Sequence, residues 1–218
     1  RTGSFLKPVN VPMNYVNTIT EGPDGQVWIG TKDGVSRISY DFDGYDISSW
    51  SLGSNVFGIG FGEDPSLILT RDDGVFFFDP SSGTSTELKS GIFCTSILCS
   101  SETEKFFVTS SKGTWFRKDD GKLYLVDKRP SKASFSDSGS QVWICTDSDM
   151  MLKFDWEGTL AAEYKVMVAG NPPGQEINLS SVFLDRSSVM WLGTYGHGFL
   201  RCGVKSHIFN YYINYFSY

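Results

Sequence analysis

At 218 residues, 40% of them hydrophobic and 15% aromatic, the chain holds enough apolar material for one large core or two small ones. A formal net charge of -6 and a pI near 4.9 repel phosphate backbones, and no stripe of Lys and Arg is interleaved with aromatics; nucleic acid and membrane surfaces are excluded as partners. No run approaches the roughly 18 apolar residues that span a bilayer, and 23 glycines among short apolar runs predict many short strands rather than a helical bundle.

Taken in chain order, the first segment, residues 1–13, reads as a lead-in, with Phe5-Leu6 as an outer strand of a preceding unit. Its start at Arg1, with no initiator Met and no basic and apolar leader, predicts a trimmed, exported portion of a larger protein. Residues 14–52 then give a clear pattern. An inner strand from Val16 to Thr20 is followed by a turn at Pro23-Asp24-Gly25, the strand Val27-Trp28-Ile29-Gly30-Thr31, a third strand from Val35 to Ile38, and an outer one from Tyr45 to Trp50.

The pattern returns at the end, in residues 177–218. Ile177-Asn178-Leu179-Ser180-Ser181-Val182 precedes a turn at Asp185 to Ser188, then Met190-Trp191-Leu192-Gly193-Thr194 and Tyr195-Gly196-His197-Gly198. In both copies the Trp follows an apolar anchor, Val16 or Leu179, by twelve residues. Between them lie three degenerate copies, in residues 53–91, 92–130 and 131–176. They are marked by Leu67-Ile68-Leu69-Thr70, Phe106-Phe107-Val108-Thr109 and Val142-Trp143-Ile144-Cys145-Thr146. The threonines at 31, 70, 109, 146 and 194 step by 39, 39, 37 and 48, the last step lengthened by a loop around Asn171-Pro172-Pro173-Gly174. Asp43-Gly44, Pro80 to Gly83, Asp120-Gly121 and Glu157-Gly158 supply the tight turns between third and fourth strands.

A four-strand meander with apolar residues on both faces cannot bury itself, whereas radial stacking of such sheets hides both. The sequence therefore predicts an all-β fold, a β-propeller or a contiguous piece of one with about five four-stranded blades. Trp28, Trp143 and Trp191 are expected to be buried as wedges between neighbouring blades, with Gly30, Thr31, Thr146, Gly193 and Thr194 serving the repeat. Cys94, Cys99, Cys145 and Cys202 have neither the density of a disulfide scaffold nor CxxC spacing, and are read as small apolar side chains.

Val27-Trp28-Ile29-Gly30-Thr31 and Met190-Trp191-Leu192-Gly193-Thr194, each after an Asp-containing turn, resemble the two-component regulator propeller repeat. The chain departs from that pattern where Cys145 replaces Gly and where Leu67 and Phe106 replace Trp. The resemblance implies the periplasmic sensor region of a hybrid two-component system of Bacteroides type. Such a receptor part binds oligosaccharide and signals to a histidine kinase elsewhere in the polypeptide, so the implied partners are a glycan, the remaining blades and the kinase region, with a homodimer as a further expectation. Neither a kinase site nor a cofactor is expected within this stretch.

Alternating strand direction puts the loop into each inner strand and the loop after each second strand on one face. There fall Asn14, Tyr15, Lys32, Asp33, Arg71, Asp72, Asp73, Lys112, Asp147, Asp149, Asn178, Tyr195 and His197. Sugars are held by flat aromatic faces and planar hydrogen-bonding groups, which makes Tyr15, Arg71, Asn178, Tyr195 and His197 the candidate ligand-binding residues. Tyr195-Gly196-His197-Gly198 heads that set, a titratable ring set between two glycines. An enzyme is the alternative, since streptogramin lyases have a similar repeat. That chemistry needs histidine and carboxylates around a divalent cation, and of the two histidines His207 is expected on a peripheral strand. No catalytic or metal-binding residues are therefore assigned. A protein-interaction or dimerisation scaffold is the third reading, prompted by the aromatic tail from Phe209 to Tyr218.

Overall fold

The computed structural model describes residues 15–41, 44–62, 66–100, 102–137, 141–167, 177–185, 187, 189–196, 198–203 and 209–212. Phe5-Leu6, Asn14, the loop at 171–174, His197, His207 and the tail beyond Tyr212 lie outside them. The described residues form strands and turns with no helix, in five four-stranded antiparallel sheets arranged as a five-blade β-propeller.

Blade 1 comprises β1 (Val16–Glu21), β2 (Val27–Thr31), β3 (Gly34–Asp41) and β4 (Gly44–Ser51). Blade 2 comprises β5 (Val56–Phe61), β6 (Leu67–Arg71), β7 (Gly74–Asp79) and β8 (Thr84–Ser90). Blade 3 comprises β9 (Cys94–Cys99), β10 (Phe106–Ser110), β11 (Gly113–Arg117) and β12 (Leu123–Asp127). Blade 4 comprises β13 (Ser131–Asp137), β14 (Gln141–Thr146), β15 (Met150–Phe154) and β16 (Leu160–Lys165), and blade 5 comprises β17 (Leu179–Leu184), β18 (Val189–Thr194), β19 (Phe199–Gly203) and β20 (Phe209–Tyr212). Strand order follows chain order in every sheet. Gly34, Gly74 and Gly113 open the third strands of the first three blades because a Cβ there would strike the carbonyl of Trp50, Lys89 or Asp127 on the outer strand.

Register corrects one reading of the repeat. Thr31, Thr146 and Thr194 face Val16, Ser131 and Leu179 at the start of their inner strands. In blades 2 and 3 that place is taken by Arg71, opposite Val56, and Ser110, opposite Cys94. Thr70 and Thr109 sit one residue earlier, at the position of Gly30, Cys145 and Gly193. The equivalents of Trp28 are consequently Ile68 and Phe107, not Leu67 and Phe106. A slip of one residue sends a strand side chain to the opposite face of its sheet, so the distinction decides which neighbour each residue meets.

Alternation along the second strand then builds the core. Trp28 and Val35 of blade 1 pack forward on Val56, Ile59, Leu67, Leu69 and Phe78 of blade 2. Ile68 and Val75 pack forward on Ile92, Cys94, Phe106 and Val108 of blade 3, and Phe107 and Phe116 on Val142, Ile144, Leu152 and Phe154 of blade 4. Trp143, Cys145 and Met151 pack on Ile177, Leu179, Met190, Leu192 and Leu200 of blade 5. Burial pushes the Cys94 thiol up to about 12, in keeping with its place in an apolar seam. The blade 3–4 seam carries charge as well. Lys105 bridges Glu157 at 2.8 Å below, and Arg129 joins Asp127 (2.6 Å) to Glu163 (2.9 Å) above.

Each Trp of the second strand also pairs across to a cation on the third: Trp28 with Arg37 (5.7 Å), Trp143 with Lys153 (5.1 Å), Trp191 with Arg201 (5.8 Å). Where the Trp is missing the cation is too, and the pairs become Ile68 with Phe77 and Phe107 with Phe116. A cation over an indole face is attracted by its quadrupole.

Trp28 and Trp143 are buried as expected, at 4% and 6% exposure. Trp191 is not: it is half-buried, with Phe199 and Arg201 of its own blade at 5.5 and 5.8 Å from its ring, and no strand of blade 5 packs extensively on blade 1 among the described residues. Trp28→Ala should therefore cost about 3–5 kcal/mol, the range for a core aromatic. Trp191→Ala should cost distinctly less, and paired denaturant melts read the difference directly.

Candidate functional site

The rim where second strands end is held by one backbone hydrogen bond repeated in every blade. The N–H of Lys32, Asp72, Ser111, Asp147 and Tyr195 donates to the carbonyl of Tyr15, Asn55, Phe93, Pro130 and Asn178, at 2.6–3.2 Å. These ten residues are therefore structural equivalents, two per blade. Just inside them, every inner strand carries a register shift, leaving Asn17, Phe57, Thr95, Lys132 and Ser180 as bulged residues. A bulge re-aims a side chain out of the ladder, and in three blades the bulged side chain reaches the next blade. Phe57 packs on Phe93 at 5.1 Å, Thr95 donates to the carbonyl of Ser131 at 2.8 Å, and Lys132 lies over the Tyr195 ring at 4.5 Å.

Tyr15 and Tyr195 stand on this rim at 66% and 60% exposure, each beside an ammonium: Lys32 lies 5.6 Å from the Tyr15 ring, and Lys132 over Tyr195 also pairs with Asp147. Asn178 is exposed, and its backbone carbonyl holds Tyr195. Asn178 and Tyr195 are thus brought together on blade 5, with Tyr15 on blade 1. His197 lies outside the described residues. Its flanking glycines are both left-handed (φ 80° and 75°), and Thr194 binds the Gly198 carbonyl through both N–H and hydroxyl.

Arg71 is placed differently from the tyrosines. Its guanidinium is buried, stacked on Phe76 at 4.0 Å, and donates twice to Asp73, at 2.9 and 2.7 Å. Asp72 beside it accepts from Ser54 at 2.5 Å and from the Asn55 amide at 2.7 Å. Partial burial pushes the Asp72 carboxyl up, but hydrogen bonds from Asn55 and Ser54 together with the Arg71 charge outweigh it and hold the group below its ordinary value. Residues 54–55 and 71–73 therefore form a hydrogen-bonded brace under the rim, one guanidinium with two carboxylates, while blades 1 and 5 present the exposed rings.

Phe57, Phe93 and Lys132 complete the rim and were not selected by residue type alone. Phe93 is exposed at the place equivalent to Tyr15 and Asn178. The signal for it was the repeat itself: once the register is fixed, the residue preceding each inner strand can be read off. Among the described residues no three His, Cys, Asp or Glu side chains gather as metal ligands.

Residues 10–33 match the family described as two component regulator propeller. That segment, which spans β1 and β2 of the first blade, is similar to a two-component regulator propeller repeat. No sequence among curated proteins is significantly similar. Solved structures share the fold along most of the chain. The extracellular domain of BT4673 from B. thetaiotaomicron, named as a hybrid two component system, superposes with TM-score 0.71 at 11% identity, covering 93% of this chain and 28% of that one. Virginiamycin B lyase from Staphylococcus aureus superposes with TM-score 0.76 at 15% identity, covering 96% and 73%. The catalytically inactive H270A form of that lyase, with Quinupristin, gives TM-score 0.62 at 17% identity, covering 82% and 62%. Identities this low establish the shared propeller fold alone.

The brace makes a pH prediction. A carboxyl whose folded pKa lies below its unfolded value contributes stability that is present above the unfolded value, near 3.8, and lost as pH falls through the folded one. Asp72→Asn should therefore flatten the acid limb below about pH 4 in a stability-against-pH series, while removing some stability at neutral pH.

Proposed function

We propose that this propeller is the extracytoplasmic ligand-sensing part of a hybrid two-component receptor, and that its rim binds an oligosaccharide without turning it over and signals to a histidine kinase outside this chain. The observation that carries the reading is the two-component regulator propeller repeat on a fold whose rim exposes Tyr15 and Tyr195 beside amines and an amide. Stacking on a tyrosine ring suits the apolar face of a pyranose, and Lys32, Lys132, Asn178 and Asp147 offer donors and acceptors for its hydroxyls. The extracellular relatives, of which this chain spans 28% and 34%, support a location outside the cytoplasm. No helix among the described residues is long and apolar enough to cross a membrane.

The likeness to a lyase favours one competing reading, a propeller enzyme. It requires a general base and an electrophile aimed at one substrate position. On the described rim, Asp73, Asp147 and Asp149 are paired with Arg71, Lys132 and Lys165, Asp72 is bound by Asn55 and Ser54, and Asp33 accepts from Ser51. Binding without turnover is accordingly the reading we adopt.

A glycan array on the complete extracytoplasmic region identifies a ligand. Tyr15→Ala, Tyr195→Ala and His197→Ala should then each weaken it by about 1–3 kcal/mol with the melting temperature nearly unchanged, as for exposed contacts near a hot spot. Wild-type affinity in all three rules out the rim, and product formed from the bound glycan moves the assignment to an enzyme.

A further inference from the structure

The repetition of the rim supplies its own control. Each blade gives one carbonyl to the rim hydrogen bond, and on blades 1, 2, 4 and 5 it comes from Tyr15, Asn55, Pro130 and Asn178; on blade 3 it comes from Phe93. Each inner strand also bulges once, and on blades 1, 3, 4 and 5 the bulged residue, Asn17, Thr95, Lys132 or Ser180, has a polar head; on blade 2 it is Phe57. The two exceptions hold different positions of the repeat on different blades, yet their rings meet, with centroids 5.1 Å apart and planes inclined by 48°. Phe93 is still 44% exposed in that contact, and Phe57 is half-buried. Phenyl rings are not a requirement of the fold at either place, since the same hydrogen bond and the same bulge form on other blades around other side chains. Leaving the rings in water costs hydrophobic free energy, which a bound apolar surface recovers.

Both rings stand on fixed supports. Asn55, just before the bulge that carries Phe57, donates its side-chain amide to Asp72 at 2.7 Å. Thr95, the bulged residue that follows Phe93, donates to the Ser131 carbonyl of blade 4 at 2.8 Å. The charged groups of this stretch of rim are already committed: Arg71 to Asp73 at 2.7 Å, Asp72 to Asn55 and Ser54, and the Lys112 ammonium to the Gly91 carbonyl at 2.7 Å. Segments 54–58, 71–74, 91–95 and 110–113, which build it, are described throughout.

We propose that Phe57 and Phe93 form a stacking subsite between blades 2 and 3 for an uncharged pyranose ring. The inference rests on the glycan reading of the rim and adds to it a further contact and a class of sugar. A phenyl ring has no hydroxyl, so it offers the C–H face of a pyranose dispersion and quadrupole attraction without competing for the sugar's own hydroxyls. Those are met at the edges by Ser111, exposed and joined through its N–H to the Phe93 carbonyl at 3.0 Å, and by the exposed Asn17 on the equivalent bulge of blade 1. With Arg71 and Lys112 engaged, a carboxylate on the sugar loses hydration without gaining an ion pair, and this sets the preference for an uncharged ring.

Isothermal titration of the complete extracytoplasmic region with cellopentaose, xylopentaose and mannopentaose, and with pentamannuronate as the acidic counterpart of the last, tests the subsite. At least one neutral sugar should bind, and pentamannuronate no more tightly than mannopentaose. Phe93→Leu keeps the apolar bulk and loses the flat face, so it should weaken the bound sugar roughly tenfold, whereas Phe93→Tyr keeps the ring and should stay near wild type. Phe57→Thr installs the residue type that blade 3 carries at the same bulge, and provides a second variant whose binding should fall while its melting temperature stays close to wild type. Wild-type affinity in both Phe93→Leu and Phe57→Thr, alongside loss in Tyr195→Ala, overturns the subsite and leaves the rim reading standing. Tighter binding of pentamannuronate than of mannopentaose overturns the uncharged class. Silence from all the sugars at millimolar concentration overturns the proposal, while the glycan array decides the rim separately.

Discussion

The alternation of the second strand is the constraint on which the molecule depends. One side chain, Trp28, Ile68, Phe107 or Trp143, points forward into the following sheet, and in blades 2, 3 and 4 its neighbours on either side point back into the preceding one. The second strands of those three blades are thus apolar on both faces, and both faces are covered. Stacking removes both faces from water at once, which a single sheet or a two-layer sandwich of this pattern cannot do. The cation that lies over each Trp belongs to the same logic, since it covers the indole from the neighbouring third strand.

The rim inherits its geometry from that packing. Because the five inner strands are fixed by the seams, one backbone hydrogen bond and one bulge recur at the same height in each blade, and side-chain identity alone distinguishes the blades. Blades 1 and 5 expose tyrosines, blade 2 carries a buried Arg–Asp brace, and Phe57 and Phe93 meet between blades 2 and 3. A uniform scaffold bearing unlike residues at equivalent points is what a recognition surface requires, since affinity arises from a few placed groups rather than from the fold.

Much of the fold was legible because the first and last copies share a long ordered pattern, and Pro23-Asp24-Gly25 or Asp120-Gly121 needs no tertiary partner to form a turn; Gly121 adopts φ 78°. The register of the middle copies was not. Thr70 and Thr109 mimic Thr31 in sequence, but in Leu67-Ile68-Leu69 and Phe106-Phe107-Val108 every residue is apolar, so composition gives no sign of which one points forward. Only pairing with Gly60 and Leu98 decides it. Arg71 was similarly opaque: its residue type suits a ligand, and only the structure shows the guanidinium committed to Asp73 and Phe76. The exposed tyrosines were easier, because the end of a second strand is a place that topology alone puts on the rim.

Not all seams are alike, and this has a mechanical side. Blades 3 and 4 are tied by the Lys105–Glu157 bridge at one end and the Arg129–Asp127–Glu163 cluster at the other, in addition to their aromatic packing. In a stacked array rigidity is local to each junction, so a load that pries blades 3 and 4 apart must break charge pairs at both ends of their seam as well as the rings between them. That pair of sheets moves as one body, and the spacing of the rim residues it carries is held fixed while side chains elsewhere on the rim adjust.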